Sequence, residues 1–296
     1  FKGVAPAAGS DAESSLFDSS LISVGVRAGT QLKPGINFSI DDDAVNIDDW
    51  LTAVIDLASY TPMQESNNTD FLDAMRSIEI RSANPMLLGR EFGKLTVSAV
   101  SVDGFKWVGT LDGDNIRGTM KMQPRDTVGK YEFDLSEFHL VAAPDDDTPP
   151  ETIDYSLQPS DYPSVTVNVD ALKVTGKNLG SLRFQGRPKD DRWLTEEFVL
   201  TQNGIRTEAR GGWRNNENDG SVTSFDFNTS IDEAEGALTD MDFDGVIKRG
   251  TGTLKGNINW IGAPHEFDYA RLNGEFDLSV RDGELVQVEP GSGKLL

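Results

Sequence analysis

Apolar and polar residues alternate with a period of two along most of the chain after Ile78. Around residue 97, for example, Leu95, Val97 and Ala99 fall on one side and the polar residues between them on the other. Because successive side chains of a β-strand point to opposite faces, this pattern predicts strands that are apolar on one face only. The clearest examples lie at 254–260 and 272–280. The sequence therefore predicts an all-β protein.

Turn signals separate the predicted strands. Asp103-Gly104, Asn203-Gly204 and Asp282-Gly283 each lie between two alternating segments, and residues 112–115 form a similar boundary. Asx-Gly pairs readily adopt the positive φ that tight hairpins require. We therefore predict antiparallel hairpins at these places.

Helical spacing is confined to the N-terminal part of the chain. Residues 46–49 supply an N-cap and early-turn acidic side chains, and the apolar residues that follow are spaced as in a helix, which predicts a helix over 48–58. A second short helix is predicted over 70–77. Strands at 21–26 and 35–40 are predicted before both.

A sheet with one apolar face must bury that face against a second sheet, helices or a ligand. Two short helices are too few to cover so many strands. The sheet therefore either closes on itself as a sandwich or curls into an open groove with an apolar wall. Glycines on the apolar side, such as Gly109, Gly186 and Gly256, are expected to leave volume unfilled and to let the sheet bend.

A short motif recurs along the chain. The pattern glycine, basic, polar, apolar, glycine, any residue, leucine occurs at 89–95 and again at 176–182, and a tryptophan follows each copy, Trp107 and Trp193. Recurring units indicate a structure assembled by lateral addition. The predicted organisation is an entry segment at 1–34, a first β module with its helix at 35–143, a Pro- and Asp-rich exposed loop at 144–163, and second and third β modules at 164–296.

The excess of acidic residues limits the classes of partner that the chain is expected to bind. The chain has 49 acidic and 27 basic residues, a formal net charge of −22, and no cysteine. Nucleic-acid binding needs clustered lysines and arginines, so we expect none. The same acidity disfavours flat docking on anionic headgroups. Without cysteine, disulfides and thiolate chemistry are excluded.

Residues that suggest catalysis or metal binding are few. His139 lies in a predicted strand and His265 in a loop, so a structural role is favoured over a Ser-His-Asp site. Residues 240–245 imitate the start of an EF-hand loop, but Thr251 occupies the position where a bidentate glutamate is required. No pair of carboxylates stands out for glycoside hydrolysis. We expect no enzyme activity, no metal site and no cofactor.

Several motifs resemble those of a known family. They are the recurring unit with its tryptophan, the run at 252–264, and above all the closing run at 274–296; shorter matches lie at 49–51 and 211–213. Together they resemble the YhdP-type branch of the AsmA-like proteins of Gram-negative bacteria, over residues from about 35 to the end.

The resemblance implies the C-terminal portion of a large periplasmic protein, tethered to the inner membrane by an N-terminal helix outside this chain. It implies an elongated, twisted antiparallel sheet curled into an open groove that carries phospholipid from the inner to the outer membrane. It supplies no catalytic residues. Phospholipid, envelope proteins and the rest of the same polypeptide are the expected partners. The acidic runs at 41–43 and 145–147 disfavour headgroup contact through basic residues.

The candidate site is the apolar face itself, where acyl chains are expected to bind. Its predicted lining residues are Leu95, Val97, Trp107, Leu111, Ile116, Met120, Leu182, Phe184, Phe198, Leu200, Ile258, Trp260, Phe276, Leu278 and Val280. One alternative is a non-catalytic structural module that docks an envelope partner through an exposed edge strand. A less favoured one is a polysaccharide-processing enzyme with a pair of perturbed carboxylates.

Overall fold

The computed structural model describes residues 20–25, 34–47, 49, 75–87, 90–103, 106–123, 129–141, 158–216, 220–236, 247–264 and 272–285. The first strands are β1 (Ser20–Gly25), β2 (Ile36–Asp41), β3 (Met75–Ser82), β4 (Met86–Leu87), β5 (Arg90–Glu91), β6 (Leu95–Ser101), β7 (Trp107–Gly113), β8 (Ile116–Gln123) and β9 (Lys130–Leu140). A 3-10 helix (Pro159–Asp161) follows. The remaining strands are β10 (Ser164–Val174), β11 (Lys177–Lys189), β12 (Arg192–Gln202), β13 (Ile205–Asn216), β14 (Gly220–Ile231), β15 (Ile247–Ile261) and β16 (Asn273–Leu285).

The chain divides into two compact units. Unit 1 comprises residues 1–127, 131–134 and 141–152, and unit 2 comprises residues 128–130, 135–140 and 153–296. Strand β9 contributes residues to both.

Hydrogen-bonded neighbours follow one order of fourteen strands, β1-β2-β3-β6-β7-β8-β9-β10-β11-β12-β13-β14-β15-β16, and β4 pairs with β5 separately. From β6 onward each described strand lies beside its neighbours in sequence, which is the arrangement of a meander. β1 and β16 stand at the two ends of the order. The predicted all-β, mostly antiparallel class is confirmed.

The N-terminal edge departs from the predicted antiparallel pattern, because β2 pairs in parallel with both β1 and β3. Parallel neighbours cannot be joined by a tight turn and need a long crossover. The connection from β2 to β3 contains the helix predicted over 48–58. Its predicted N-cap is present, since the side-chain oxygen of Asn46 accepts a hydrogen bond from the backbone N–H of Asp49 at 3.2 Å. The body of that helix lies outside the described residues.

The second predicted helix is wrong at its C-terminal end. Residues 70–74 lie outside the described ranges, but Met75 and Ser77 already belong to β3. Ser77 pairs with Asn37 of β2 on one side and with Val100 of β6 on the other. Two neighbouring strands thus form hydrogen bonds with the backbone of this segment. This tertiary pairing overrides a weak local preference for helix.

Two of the predicted Asx-Gly hairpins are confirmed. Gln202 pairs with Ile205 across Asn203-Gly204, and Gly204 has a φ of 69°. At Asp103-Gly104 the β6–β7 hairpin closes with Ser101 opposite Trp107. The turn predicted at 112–115 joins β7 to β8, where Asp112 pairs with Arg117.

The hairpin predicted at Asp282-Gly283 is wrong. Strand β16 continues through it, and Arg281 and Gly283 keep the same register against Thr251 and Arg249 of β15. Asp282 has a φ of 56°, and Arg249 and Gly250 on the neighbouring strand have φ values of 56° and 99°. The positive φ that the Asx-Gly pair supplies is therefore used within a paired ladder rather than in a chain reversal.

Candidate apolar binding face

The strand register of unit 2 places apolar side chains from consecutive strands on one side of the sheet. Leu182 lies opposite Leu200, and Phe184 lies opposite Phe198. We call this surface the unit 2 face. Its members from β10 to β16 include Val167, Leu182, Phe184, Trp193, Phe198, Leu200, Ala209, Trp213, Phe225, Phe227, Leu254, Ile258, Trp260, Phe276, Leu278 and Val280.

The opposite side of the same strands is charged. Arg183 pairs with Glu197 at 3.1 Å, and Arg187 pairs with Glu196 at 2.6 Å, all with exposed or half-exposed side chains. The hydrogen bond from Arg187 holds the pKa of the Glu196 carboxyl below its usual value, and the same contact raises the pKa of Arg187. The sheet of unit 2 therefore has one solvated face and one apolar face, as the alternation predicts.

One end of the unit 2 face is closed by the chain that precedes β10. Trp193 and Trp213 are buried there, and Tyr162 packs edge-on against both, with ring centroids 6.5 and 5.2 Å away. The indole N–H of Trp193 donates a hydrogen bond to the carbonyl oxygen of Pro163 at 2.8 Å. Pro159 is also fully buried. The prediction of an exposed loop over 144–163 is thus wrong for its last residues, which cover two tryptophans.

A second segment, residues 262–264 after β15, closes the same end of the face. The indole N–H of Trp260 donates to the carbonyl oxygen of Ala263 at 3.0 Å, and the hydroxyl of Thr223 donates to the carbonyl oxygen of Gly262 at 2.8 Å. Thr223 has no exposed surface. We call the region of Trp193, Trp213 and Trp260 the Trp end. It is a core in which the indole N–H of each tryptophan and the hydroxyl of Thr223 donate hydrogen bonds within the chain.

Three glycines of the apolar faces do not leave empty volume, contrary to the prediction. A methyl group on Gly186 would overlap the indole ring of Trp193, and one on Gly256 would come within 2.9 Å of the Phe227 ring. A methyl group on Gly109 of unit 1 would lie 2.7 Å from the terminal carbon of Met120. A large side chain occupies the space that each glycine vacates, so the glycines permit close packing onto the backbone.

The opposite margin of the unit 2 face is open. Phe276, Leu278 and Val280, which we call the β16 row, are 64%, 55% and 41% exposed. Beside them lies an apolar hollow of about 110 Å³, lined by Ile205, Ile231, Ala234, Thr251, Gly252, Leu278 and Val280. None of these seven described residues is charged. Five further predicted residues of the unit 2 face are half-buried: Leu182, Phe184, Phe198, Leu200 and Ile258.

The predicted residues of unit 1 also share one face, but most of them are buried. Val97 lies opposite Leu111, and Gly109 lies opposite Met120. We call this surface the unit 1 face. Its buried members are Leu95, Trp107, Leu111, Ile116 and Met120, and Val97 is half-buried. Phe92, Val45 and Pro85, which the prediction did not include, are buried in the same unit.

Sequence reasoning missed several members of the unit 2 face. Phe225 and Phe227 lie on it opposite Ile258 and Gly256, and Phe225 stacks on Trp260 with ring centroids 5.8 Å apart. The signal was present, because residues 223–231 alternate Thr, Phe, Phe, Thr and Ile with polar residues. Phe225 and Phe227 follow the same period of two as the lining residues that the sequence predicted.

The recurring motif has a partly shared structure. The second glycine of each copy, Gly93 or Gly180, has a positive φ, 67° and 77° respectively. Each copy's leucine then lies in a strand, Leu95 in β6 and Leu182 in β11, and the trailing tryptophan is buried in the next strand of the meander. Gly89 lies outside the described residues, whereas Gly176 forms a two-residue turn with Thr175, in which both have positive φ.

Within the described ranges, no group of three or more His, Asp or Glu side chains is arranged to hold a metal ion. His139 is half-buried in β9, and both His265 and the EF-hand-like residues 240–245 lie outside those ranges. No helix in the described part of the chain has the length and hydropathy needed to cross a bilayer.

Comparison with known families gives one match, to the family model described as YhdP protein, over residues 9–296. No curated protein matches the chain. No solved structure matches it either.

Proposed function

Because the chain belongs to the YhdP family, we propose that it is a periplasmic segment of a bridge-like lipid-transfer protein that binds phospholipid acyl chains. The family is an envelope-associated, lipid-transport-related branch of the AsmA-like proteins and is not a known enzyme family. The resemblance to this family is confirmed over residues 9–296, whereas a place in the C-terminal portion of a longer protein belongs to the proposal. A tether to the inner membrane through another part of the polypeptide, and transport towards the outer membrane, belong to the proposal.

The observation that carries the proposal is the accessibility of the unit 2 face. Its residues are continuous from β10 to β16, and they pass from the closed Trp end to an exposed β16 row. Soluble proteins rarely leave a contiguous apolar surface exposed unless it binds something. An occupant made of methylenes would suit it, because the described residues that line the hollow and form the β16 row are all uncharged.

The magnitude of the hydrophobic effect permits such binding. Each buried methylene contributes about 0.8 kcal/mol, so an acyl chain with roughly ten methylenes on the face would gain about 8 kcal/mol before ordering costs. The hollow of about 110 Å³ holds only part of such a chain. The rest would lie along the half-buried residues. Such contacts select for an acyl chain and leave the headgroup outside, in keeping with the acidic surface.

We assign the binding residues to unit 2. They are Leu182, Phe184, Phe198, Leu200, Ile258, Phe276, Leu278 and Val280. Leu95, Trp107, Leu111, Ile116, Met120 and Trp260 are buried against protein, and we propose that these six pack the fold, with Val97 at the margin of the unit 1 core.

The first experiment is organic extraction of the purified chain followed by mass spectrometry. We expect phospholipids or fatty acids to co-purify at a reproducible ratio to protein. A chain that carries no lipid and takes up none from fluorescent phospholipid vesicles would contradict the proposal.

The second experiment compares two variants of neighbouring residues on β16. Leu278→Asp places a charge in the β16 row, whereas Ser279→Asp places the same charge on the polar face. We expect uptake of a fluorescent phospholipid to fall about tenfold or more in L278D, because a loss of 1.4 kcal/mol is a factor of ten in affinity. Uptake by S279D should stay within about twofold of the parent. Equal effects in the two variants would argue against the unit 2 face.

The second candidate function is an interaction module that docks through a sheet edge. It is favoured by one observation, which is the position of β16 at the end of the order of described strands. No described residue favours the polysaccharide-processing alternative; Glu196, whose pKa is lowered, lies exposed on the charged face beside Arg187.

A further inference from the structure

We propose that Thr207, oriented by Thr229, donates a hydrogen bond to the ester carbonyl of a bound acyl lipid. This assignment rests on the proposed lipid binding and deepens it, because it names the atom of the lipid that the protein recognises. The two threonines form a hydroxyl pair on the unit 2 face. The pair holds a proton without an acceptor, and the apolar hollow lies beside it.

The strand register places the hydroxyl pair inside a row of leucines that crosses the unit 2 face. Thr207 lies opposite Leu200 on one side and opposite Thr229 on the other. Thr229 in turn lies opposite Leu254, which lies opposite Leu278 of the β16 row. Two polar groups therefore interrupt the apolar row where a bound acyl chain would cover them.

The hydroxyl pair has more protons than acceptors. The two side-chain oxygens lie 2.9 Å apart, so one threonine donates a hydrogen bond to the other. Each hydroxyl has one proton, so one of the two protons is left over. Among the described residues, neither side chain has a further hydrogen-bond partner. Thr229 is 6% exposed and Thr207 is half-buried, so Thr207 is the member that an occupant can reach.

A threonine at the Trp end shows how the chain itself satisfies such a hydroxyl. Thr223 lies on the same face and donates to the backbone carbonyl oxygen of Gly262 at 2.8 Å. No described segment brings a carbonyl to Thr207 in this way. The hydroxyl of Thr195 also lacks a partner, but it is fully enclosed and so does not meet an occupant. A carbonyl from a bound molecule would complete Thr207 as Gly262 completes Thr223.

The hollow supplies the apolar half of the site. Ile205 and Ile231, which line it, lie opposite each other and two residues from the hydroxyl pair, about 7 Å along the strands. An occupant made only of methylenes would cover Thr207 and leave its proton unpaired, which is unfavourable in apolar surroundings. A carbonyl oxygen at Thr207 followed by methylenes in the hollow suits both parts, and this combination is the ester end of an acyl chain.

The charge of the chain favours an ester over a free fatty acid. Both offer an oxygen acceptor next to a methylene chain. A carboxylate, however, has the same sign as the formal net charge of −22, whereas an ester carbonyl is neutral.

Matched ester and ether lipids isolate the contribution of the carbonyl. A fluorescent phosphatidylcholine with two ester-linked chains and its dialkyl ether analogue share the headgroup and chain length, but only the first has carbonyl oxygens. We expect the parent chain to bind the ester lipid about fivefold more tightly, roughly the net contribution of one neutral hydrogen bond. Thr207→Val should abolish this preference by weakening the binding of the ester lipid alone. Thr207→Ser, which keeps the hydroxyl, should retain it.

Thr253→Val is the matched control, because Thr253 is exposed on the charged side of β15, opposite Ser230. It should leave the ester preference unchanged. The double variant Thr207→Val with Thr229→Val removes both hydroxyls, so neither is left unpaired, and its stability should stay close to that of the parent. It should bind the two lipids equally. The infrared band of a labelled ester carbonyl should shift to lower frequency on binding to the parent and not to the double variant.

The outcomes separate this assignment from lipid binding itself. Equal binding of the ester and ether lipids by the parent would overturn the role of Thr207 and leave the proposed function standing. An ester preference that survives in the double variant would overturn that role as well. Binding of neither lipid would contradict the proposed function, and the assignment with it.

Discussion

The unit 1 face and the β16 row have the same sequence pattern and opposite environments. Leu95, Trp107 and Leu111 alternate with polar residues as Phe276, Leu278 and Val280 do. The first set is 2–8% exposed, and the second is 41–64% exposed. Alternation thus determines which side of a strand is apolar, but it does not determine what covers that side.

The comparison matters because what covers an apolar face decides what that face can do. A covered apolar face contributes to stability, whereas an uncovered one is available to a ligand or partner. The Trp end shows how a face becomes covered: short segments at 159–163 and 262–264 bring backbone carbonyls to the indole N–H groups of Trp193 and Trp260. No described segment does the same for the β16 row.

The largest expected effect distinguishes the two regions directly. Leu111→Asp buries a charge in unit 1 and should lower the free energy of unfolding by about 4 kcal/mol or more, because an unpaired buried charge is strongly penalised. Leu278→Asp should cost less than about 1 kcal/mol, since Leu278 is already 55% exposed. Urea denaturation followed by circular dichroism measures both. Similar losses in the two variants would mean that the β16 row is also covered.

The Trp end gives an intermediate effect. Gly186→Ala should cost about 1–3 kcal/mol, because the added methyl group overlaps the Trp193 ring. Adding Trp193→Phe removes part of the overlapping ring and should recover some of that cost, giving a coupling energy in a double-mutant cycle. Additive costs in thermal or urea unfolding would show that the two side chains do not share the space.

A smaller effect is expected at the start of the predicted helix in unit 1. Asn46→Ala removes the acceptor for the Asp49 N–H and should cost about 1 kcal/mol, whereas Asn46→Ser should be nearly neutral because serine caps equally well. If this segment supports the unit 1 face, hydrogen exchange should rise in β6 and β7 and stay unchanged in β10–β16. A uniform rise across both units would contradict a local role.

The smallest effect belongs to the charged face. Glu196→Gln should leave the melting temperature at neutral pH nearly unchanged, because the Arg187 pair is exposed. The pKa of Glu196 is lowered in the folded chain, so whatever the pair contributes is present above the unfolded pKa and is lost as the pH falls through the folded value. The parent and E196Q should therefore converge in acid. A difference that grows in acid would contradict this assignment.

The sequence predicted the strands well because each carries its own periodicity. It also predicted the Asn46 cap and the hairpin at Asn203-Gly204, which depend only on local chemistry. Local sequence patterns gave wrong predictions where pairing with neighbouring strands determines the structure. Met75 and Ser77 became strand between β2 and β6, and Asp282-Gly283 stayed within a ladder.

The sequence predicted which residues share the apolar face, but it did not predict which of them are exposed. Trp260 and Phe276 belong to the same apolar face of adjacent strands, yet one is buried by Ala263 and its neighbours while the other is exposed. That difference depends on segments distant in sequence, which alternation does not encode. The role of the glycines was mispredicted for the same reason, because the space beside Gly186 is filled by a side chain from the next strand.

Unit 2 is joined from β10 to β16 entirely by pairing between strands that are consecutive in sequence. Duplicating one hairpin within such a meander would insert two strands without rethreading any other, and would extend the apolar face by about 9–10 Å. Evolution could therefore adjust the reach of this surface by tandem duplication in the gene.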